Sequence, residues 1–101
     1  MYNKLVKEFI RNPRDIHTSP LVRKPYNWFH VFVEKGKLYV EPAHHNYPKC
    51  TLKRRSLIEK ECDKILEIYH RRLKGEKISK EAQDVTHSQV YWYGIFAELN
   101  L

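Results

Sequence analysis

Residues 56–73 constrain the fold most, because they predict one long amphipathic helix. Apolar residues recur there every three or four positions, which is the spacing of a single helical face. These residues are Leu57, Ile58, Cys62, Ile65, Leu66, Tyr69 and Leu73. Ser56 and Glu59 have the pattern of a capping box, and Gly75 is suited to the left-handed conformation that ends a helix. We expect this helix to act as the scaffold of the chain.

Residues 28–42 predict a β-hairpin, because two runs of β-forming residues flank a short polar turn. If Lys35 and Gly36 form the two-residue loop, Val31 faces Val40 across the hairpin. The residues that then share a core face are Phe29, Val31, Val33, Leu38 and Val40. Since these side chains are all apolar, the register agrees with the burial pattern.

The opposite face of this hairpin is the first candidate for function. It carries Trp28, His30, Phe32, Tyr39 and Glu41. The register places His30 opposite Glu41, and exposed aromatic rings can stack on bases or anchor a partner protein. The alternative is that the N-terminal helix, or a third strand from residues 14–27, covers this face, because monomers rarely expose large apolar patches.

The remaining sequence predicts three further helices. Residues 2–10 have the apolar spacing of a short helix, and a second short helix begins at Ser79. Residues 86–99 open with a capping-box pattern and are apolar on nearly every side, so we expect this last helix to be buried. Residues 14–27 have no clear period and are expected to be extended or looping.

These elements predict a single α+β domain over residues 1–101. In this domain an N-terminal helix and a β-hairpin pack against a C-terminal unit of three helices. Two of these helices, the short one and the last one, have the outline of a helix-turn-helix.

In a helix-turn-helix, the start of the last helix would reach base edges. The residues concerned are His87, Ser88 and Gln89. Glutamine can read adenine, and serine or histidine can contact bases or phosphates. However, the connection contains no glycine, and the last helix contains no Arg or Lys. The alternative interpretation is that the three helices pack as a purely structural unit.

The charge indicates a polyanionic partner. The 101 residues contain 19 Lys and Arg against 12 Asp and Glu, which gives a formal net charge of +7. A field of this sign attracts nucleic acid. Basic clusters flank both ends of the long helix, and the residues expected to grip phosphates are Lys53, Arg54, Arg55, Arg71 and Arg72. The alternative is that these basic residues are exposed to solvent and contact no partner.

Histidines near the end of the hairpin raise a catalytic possibility, because histidine is the commonest general acid–base. The candidates for a small nuclease or ribonuclease are His30, Glu41, His44 and His45. Zinc is not expected, since His44, His45, Cys50 and Cys62 lack the paired spacing of a structural zinc site. No metal or other cofactor is predicted, and Cys62 is expected to be a small core residue.

Three functions therefore stay open at the level of sequence. The first is a cytoplasmic protein that binds DNA or RNA, and the second is a histidine-dependent nuclease. The third is a non-catalytic interaction module or inhibitor that uses the face with Trp28, Phe32 and Tyr39. A stable homodimer would indicate that a second copy covers this aromatic face or the last helix. No membrane partner and no signal peptide are expected, because apolar runs of the required length and setting are lacking.

Overall fold

The computed structural model describes residues 1–20 and 25–101, which form four helices and one antiparallel sheet. The helices are α1 (Tyr2–Arg11), α2 (Glu59–Leu73), α3 (Ser79–Val85) and α4 (Gln89–Glu98). The strands are β1 (Arg14–His17), β2 (Trp28–Glu34), β3 (Lys37–Pro42) and β4 (Arg55–Leu57). The sheet order is β1-β2-β3-β4. This arrangement confirms the predicted α+β class. Among the described helices, none has the length and apolar character needed to cross a membrane.

Strands β2 and β3 form the predicted hairpin in the predicted register. Val31 pairs with Val40, and the loop consists of Lys35 and Gly36. Both loop residues have positive φ, 51° and 76°, which is the sign that a type I′ hairpin loop needs at both positions. The register decides which side chains share each face of the sheet.

The inner face of the sheet is the face that builds the core. Its most deeply buried residues are Ile16, Phe29, Val31, Leu38, Val40 and Leu57. Helices α1 and α4 cover this face, and the Tyr2 hydroxyl fixes α1 to it. This hydroxyl donates to the carbonyl oxygen of Leu57 at 2.8 Å and accepts from the backbone N–H of Leu38 at 2.9 Å. Helix α1 therefore does not cover the opposite face of the hairpin.

Helix α4 is the central helix of the core, as its all-round apolar character predicts. Its residues from Tyr91 to Phe96 are all buried, and it packs against both α2 and β1. Gly94 permits this close approach. A Cβ atom on Gly94 would meet the carbonyl oxygen of His17 at 2.8 Å and the ring of Phe29 at 3.0 Å.

The predicted start of the long helix is wrong. Helix α2 begins at Glu59 rather than at Ser56, and no side chain caps it. The residues before it form β4, in which Leu57 pairs with Leu38 and is only 1% exposed. Burying a leucine contributes about 1.5–3 kcal/mol, whereas an N-cap contributes about 1 kcal/mol. The sheet therefore outweighs the local capping signal.

The last helix also begins later than predicted. Helix α4 starts at Gln89, and the backbone of Thr86 is extended, with φ −156° and ψ 152°. The Thr86 hydroxyl oxygen accepts a hydrogen bond from the backbone N–H of Ser88 at 2.9 Å. This side chain therefore stabilises the turn between α3 and α4 instead of forming the predicted capping box.

The segment of residues 14–27, predicted to be extended or looping, contributes β1. This strand pairs with β2 through His17–Trp28 and Asp15–His30. It therefore extends the sheet at one edge and does not lie over a face of it. The part of the prediction that concerns residues 21–24 lies outside the described residues.

Candidate functional site

The outer face of the sheet consists of the strand residues that alternate with the buried ones. They are Asp15, His17, Trp28, His30, Phe32, Tyr39 and Glu41. Residues directly opposite each other in an antiparallel pair share a face. Most of these residues are half-buried, and His17 is exposed. The predicted aromatic face thus extends onto β1. The described helices do not cover it, so it is accessible to a ligand.

Asp15 anchors a loop to this outer face. Its carboxylate accepts hydrogen bonds from the backbone N–H groups of His44 (3.0 Å), His45 (2.7 Å) and Asn46 (3.0 Å), and from Nδ1 of His30 (2.8 Å). Only 3% of the Asp15 side chain is exposed. Burial by itself raises the pKa of Asp15, but these hydrogen bonds outweigh it and hold the pKa well below its usual range. The anchor is therefore a charged carboxylate.

Two histidines stack beside this anchor, each with its own carboxylate. The ring centroids of His30 and His44 are 3.5 Å apart, and the ring planes differ by 8°. Nε2 of His44 lies 2.5 Å from Oε2 of Glu41. His30 and Glu41 are cross-strand neighbours, as predicted, but Asp15 accepts the hydrogen bond of His30. The exposed His45 ring lies 6.2 Å from that of His44 at 73°, so the structure brings all four catalytic candidates together.

A row of planar groups continues from these histidines across the outer face. The ring of His30 lies 6.0 Å from that of Phe32, which in turn lies 5.6 Å from that of Tyr39. The guanidinium of Arg54 lies over both Phe32 (5.0 Å) and Tyr39 (4.9 Å). We call these groups the aromatic row, which consists of His44, His30, Phe32, Tyr39 and Arg54. The guanidinium of Arg54 also pairs with the Glu34 carboxylate.

Further aromatic side chains lie at the start of β2 and in the loop after β3. The His17 ring stacks on Tyr26 at 4.2 Å and meets the edge of Trp28 at 5.1 Å. Tyr26 is 46% exposed and Tyr47 is 75% exposed. Nζ of Lys49 lies 4.9 Å from the ring centroid of Tyr47. Exposed rings and a cation thus border the outer face.

The basic residues before α2 have different surroundings. Lys53 is exposed, whereas Arg54 belongs to the aromatic row. Arg55 turns towards α4, where its Nη1 donates to the Ser88 hydroxyl at 3.3 Å and its guanidinium lies 5.6 Å from the Tyr91 ring. Of this cluster, Arg54 is the residue that the structure places on the outer face.

The two arginines at the end of α2 are engaged by neighbouring side chains. Arg71 forms ion pairs with Glu76 (3.0 Å) and with Glu81, and these hydrogen bonds raise its pKa. The guanidinium of Arg72 lies 4.5 Å from the Tyr93 ring, and burial lowers its pKa. Arg71 therefore connects α2 to surface carboxylates of the next loop and of α3, whereas Arg72 packs against α4. Neither arginine lies in the aromatic row with Arg54.

The residues predicted to contact bases differ in exposure. His87 is exposed, Ser88 is only 8% exposed, and Gln89 is half-buried. The helix that they precede is buried from Tyr91 to Phe96. A recognition helix needs an accessible face to enter the major groove. This placement favours the interpretation of the three C-terminal helices as a structural unit.

The two cysteines lie in the core as free thiols. Burial raises the pKa of Cys62 to about 11, which disfavours the thiolate that zinc binds. The prediction that Cys62 is a core residue is confirmed, since it is 1% exposed. Within residues 1–20 and 25–101, no three His, Cys, Asp or Glu side chains are grouped so as to hold a metal ion.

Asp15 is the site residue that reasoning from sequence missed. It lies in a stretch without clear periodicity, and its partners are 15 to 31 positions away along the chain. The one available signal is the order Arg14, Asp15, Ile16, His17, in which a single apolar residue follows two polar ones. Assigning β1 from this signal would have placed Asp15 beside the hairpin.

Comparison of the chain with protein-family models, with curated proteins and with solved structures finds no match. Its function is therefore inferred from the outer face itself. The features of this face that can carry chemistry are the loop anchored by Asp15, the aromatic row and the exposed tyrosines.

Proposed function

We propose that this protein binds single-stranded nucleic acid on the outer face of its sheet. The observation that carries the proposal is the aromatic row, in which the Arg54 guanidinium lies within 5.0 Å of two ring centroids. A guanidinium held on aromatic rings presents a planar stacking surface and a fork of donors for phosphate. Stacking of a base on such a surface contributes about 1–3 kcal/mol.

The exposed tyrosines support the same proposal. Tyr47 is 75% exposed, and Lys49 places its ammonium 4.9 Å from the ring centroid. Tyr26 is 46% exposed and stacks on His17. A base can stack on an exposed ring while the neighbouring cation contacts its phosphate, which is how many sheet surfaces hold RNA or single-stranded DNA.

Single strands fit this face better than duplexes do. Aromatic side chains can stack only on bases that are not already stacked within a helix. The net charge of +7 supplies the long-range attraction for phosphates. Nucleic acid, the partner predicted from sequence, is therefore kept in the proposal. The residues proposed to contact it are now Arg54 and the other residues of the outer face. The two free thiols fit a reducing cytoplasmic compartment, which we include in the proposal.

Fluorescence anisotropy with labelled single-stranded RNA, single-stranded DNA and duplex DNA tests the proposal. We expect both single strands to bind more tightly than the duplex, with affinities that fall as salt rises. Tighter binding of the duplex would favour the helix-turn-helix interpretation instead. Absence of binding to all three at low salt would overturn the proposal. Light scattering on the same samples tests the predicted homodimer.

A further inference from the structure

We infer that the loop anchored by Asp15 cleaves the RNA that the outer face binds, with His44 as general base and His45 as general acid. This inference rests on the proposed binding function and adds a reaction to it. RNA carries its own nucleophile, the 2′-hydroxyl. Strand cleavage therefore needs a proton acceptor beside this hydroxyl and a proton donor beside the leaving oxygen.

The surroundings of His44 suit a general base. Its Nε2 lies 2.5 Å from the Glu41 carboxylate, which can only accept, so this contact favours the neutral tautomer that has its proton on Nε2 and its lone pair on Nδ1. Stacking on His30 at 3.5 Å fixes the ring plane, and Asp15 holds the backbone N–H at 3.0 Å. With 44% of the side chain exposed, a substrate hydroxyl can reach it.

His30 has a different role, because it is much less accessible. Only 12% of its side chain is exposed, and its Nδ1 donates to Asp15. The stacked rings of His30 and His44 are 3.5 Å apart. An imidazole forms its hydrogen bonds in the plane of its ring, so the nitrogen atoms of two parallel stacked rings do not face each other and cannot hold a phosphate group between an acid and a base. His30 is therefore a positioning residue for His44.

His45 has the position that a general acid requires. Its ring is exposed and lies 6.2 Å from that of His44, turned by 73°. In-line displacement places the attacking and leaving oxygens on opposite sides of phosphorus. Separate rings at this distance can each contact one of these oxygens. The backbone N–H of His45 donates to Asp15 at 2.7 Å. One carboxylate of β1 therefore holds the backbone of both histidines.

The reaction follows from these positions. Nδ1 of His44 takes the proton of the 2′-hydroxyl, the 2′-oxygen forms a bond to the adjacent phosphorus, and the bond from phosphorus to the 5′-oxygen breaks. Protonated His45 gives its proton to the 5′-oxygen, which leaves as a hydroxyl. The products are a 2′,3′-cyclic phosphate end and a 5′-hydroxyl end. His44 then loses its proton to water, and His45 regains one from water.

Incubation of the full chain with a labelled single-stranded RNA, in the presence of a chelator, tests this reaction. Mass spectrometry is expected to find products that end in a cyclic phosphate, and the same strand with 2′-O-methyl groups is expected to stay intact. His44→Gln and His45→Gln should each lower the cleavage rate at least about 100-fold, measured at RNA concentrations that saturate each variant so that a change in Kd does not affect the comparison. His70→Gln is the control, since the exposed His70 near the end of α2 contacts the carbonyl oxygen of Leu101.

Glu41→Gln tests the positioning of the base, and is expected to lower kcat while KM stays unchanged. Circular dichroism verifies that each variant is folded. RNA that is bound but stays intact would overturn the inference and leave the proposed binding function standing. Equal cleavage by the wild-type protein and the two histidine variants would also overturn it, because a contaminant would then be responsible. If RNA is neither bound nor cleaved, both proposals fail.

Discussion

A Cβ atom on Gly94 would lie 2.8 Å from the carbonyl oxygen of His17. The backbones of α4 and β1 therefore approach each other as closely as a glycine allows. Because His17 and Asp15 lie on the same short strand, this contact also sets the position of the loop anchor relative to the core. The outer face depends in this way on a residue buried on the other side of the sheet.

Gly94→Ala is expected to lower the free energy of unfolding by about 1–3 kcal/mol, because the added methyl group overpacks the contact between helix and strand. In an unobstructed helix interior, the same change stabilises a protein by about 1 kcal/mol. The sign of the effect is therefore diagnostic, and urea denaturation measures it. A more stable variant would show that β1 can move away from α4.

Asp15→Asn is expected to lower the free energy of unfolding by about 2–3 kcal/mol, because an amide replaces a buried carboxylate that accepts hydrogen bonds. Denaturation near neutral pH measures the loss. Asp63→Asn is the matched control, since Asp63 is exposed on α2 and its change should stay within about 0.5 kcal/mol. Equal effects of the two substitutions would contradict the anchoring role of Asp15.

The stabilisation by Asp15 is expected to depend on pH. The pKa of this carboxyl is lower in the folded chain than its value of about 3.9 in the unfolded chain. Its contribution is therefore complete above about pH 5 and is lost as pH falls towards the folded pKa. The stability difference between the wild-type protein and Asp15→Asn should shrink below about pH 4. A difference that stays constant in acid would contradict this assignment.

Tyr47→Ala is expected to weaken the binding of single strands by about 1–3 kcal/mol, the contribution of one stacked base. Since Tyr47 is 75% exposed, its removal should leave Tm unchanged. Ile10→Ala is the control, because Ile10 is 62% exposed but lies on α1, across the sheet from the outer face. Anisotropy titrations of both variants decide the point, and equal affinities would exclude Tyr47 as a stacking site.

Arg54→Gln is expected to reduce the salt dependence of binding by about one unit of log K per log salt, because one phosphate contact is lost. Glu34→Gln should act in the opposite direction and tighten binding, since it removes the carboxylate that pairs with Arg54. Lys64→Gln, on the exposed side of α2, serves as the charge-matched control. Titrations over a range of salt concentrations measure all three. A salt slope unchanged in Arg54→Gln would place the phosphate contacts elsewhere.

The elements whose sequence signals agree with tertiary packing could be predicted well. In the hairpin, the alternation of residues and the turn at Lys35-Gly36 specify the same register, and the structure has that register. At the start of α2, by contrast, the local pattern of Ser56 and Glu59 competes with the burial of Leu57 in the sheet. Burial prevails there because it contributes more free energy than a cap.

The site could be predicted only in part. The histidines after the hairpin and Glu41 stand out because of their chemistry, and the structure places them together. Their arrangement depends on Asp15, whose hydrogen bonds span 15 to 31 positions of sequence. Such distant pairings leave no local pattern. For the same reason, the sequence could not show which arginines are available to contact phosphates. The carboxylates that pair with Arg71 are recognised only in the folded chain.

The alternation along β2 separates two properties of this protein. Phe29 and Val31 are completely buried, while His30 and Phe32, next to them in the chain, face outwards. We expect substitutions at the buried set to change whether the chain folds, whereas under the proposed function substitutions at the outward set change what the folded chain binds. Of the two outward residues, His30 also holds the Asp15 anchor through a hydrogen bond, so under the proposed function ligand preference can be redesigned at Phe32 with a smaller loss of stability than at His30.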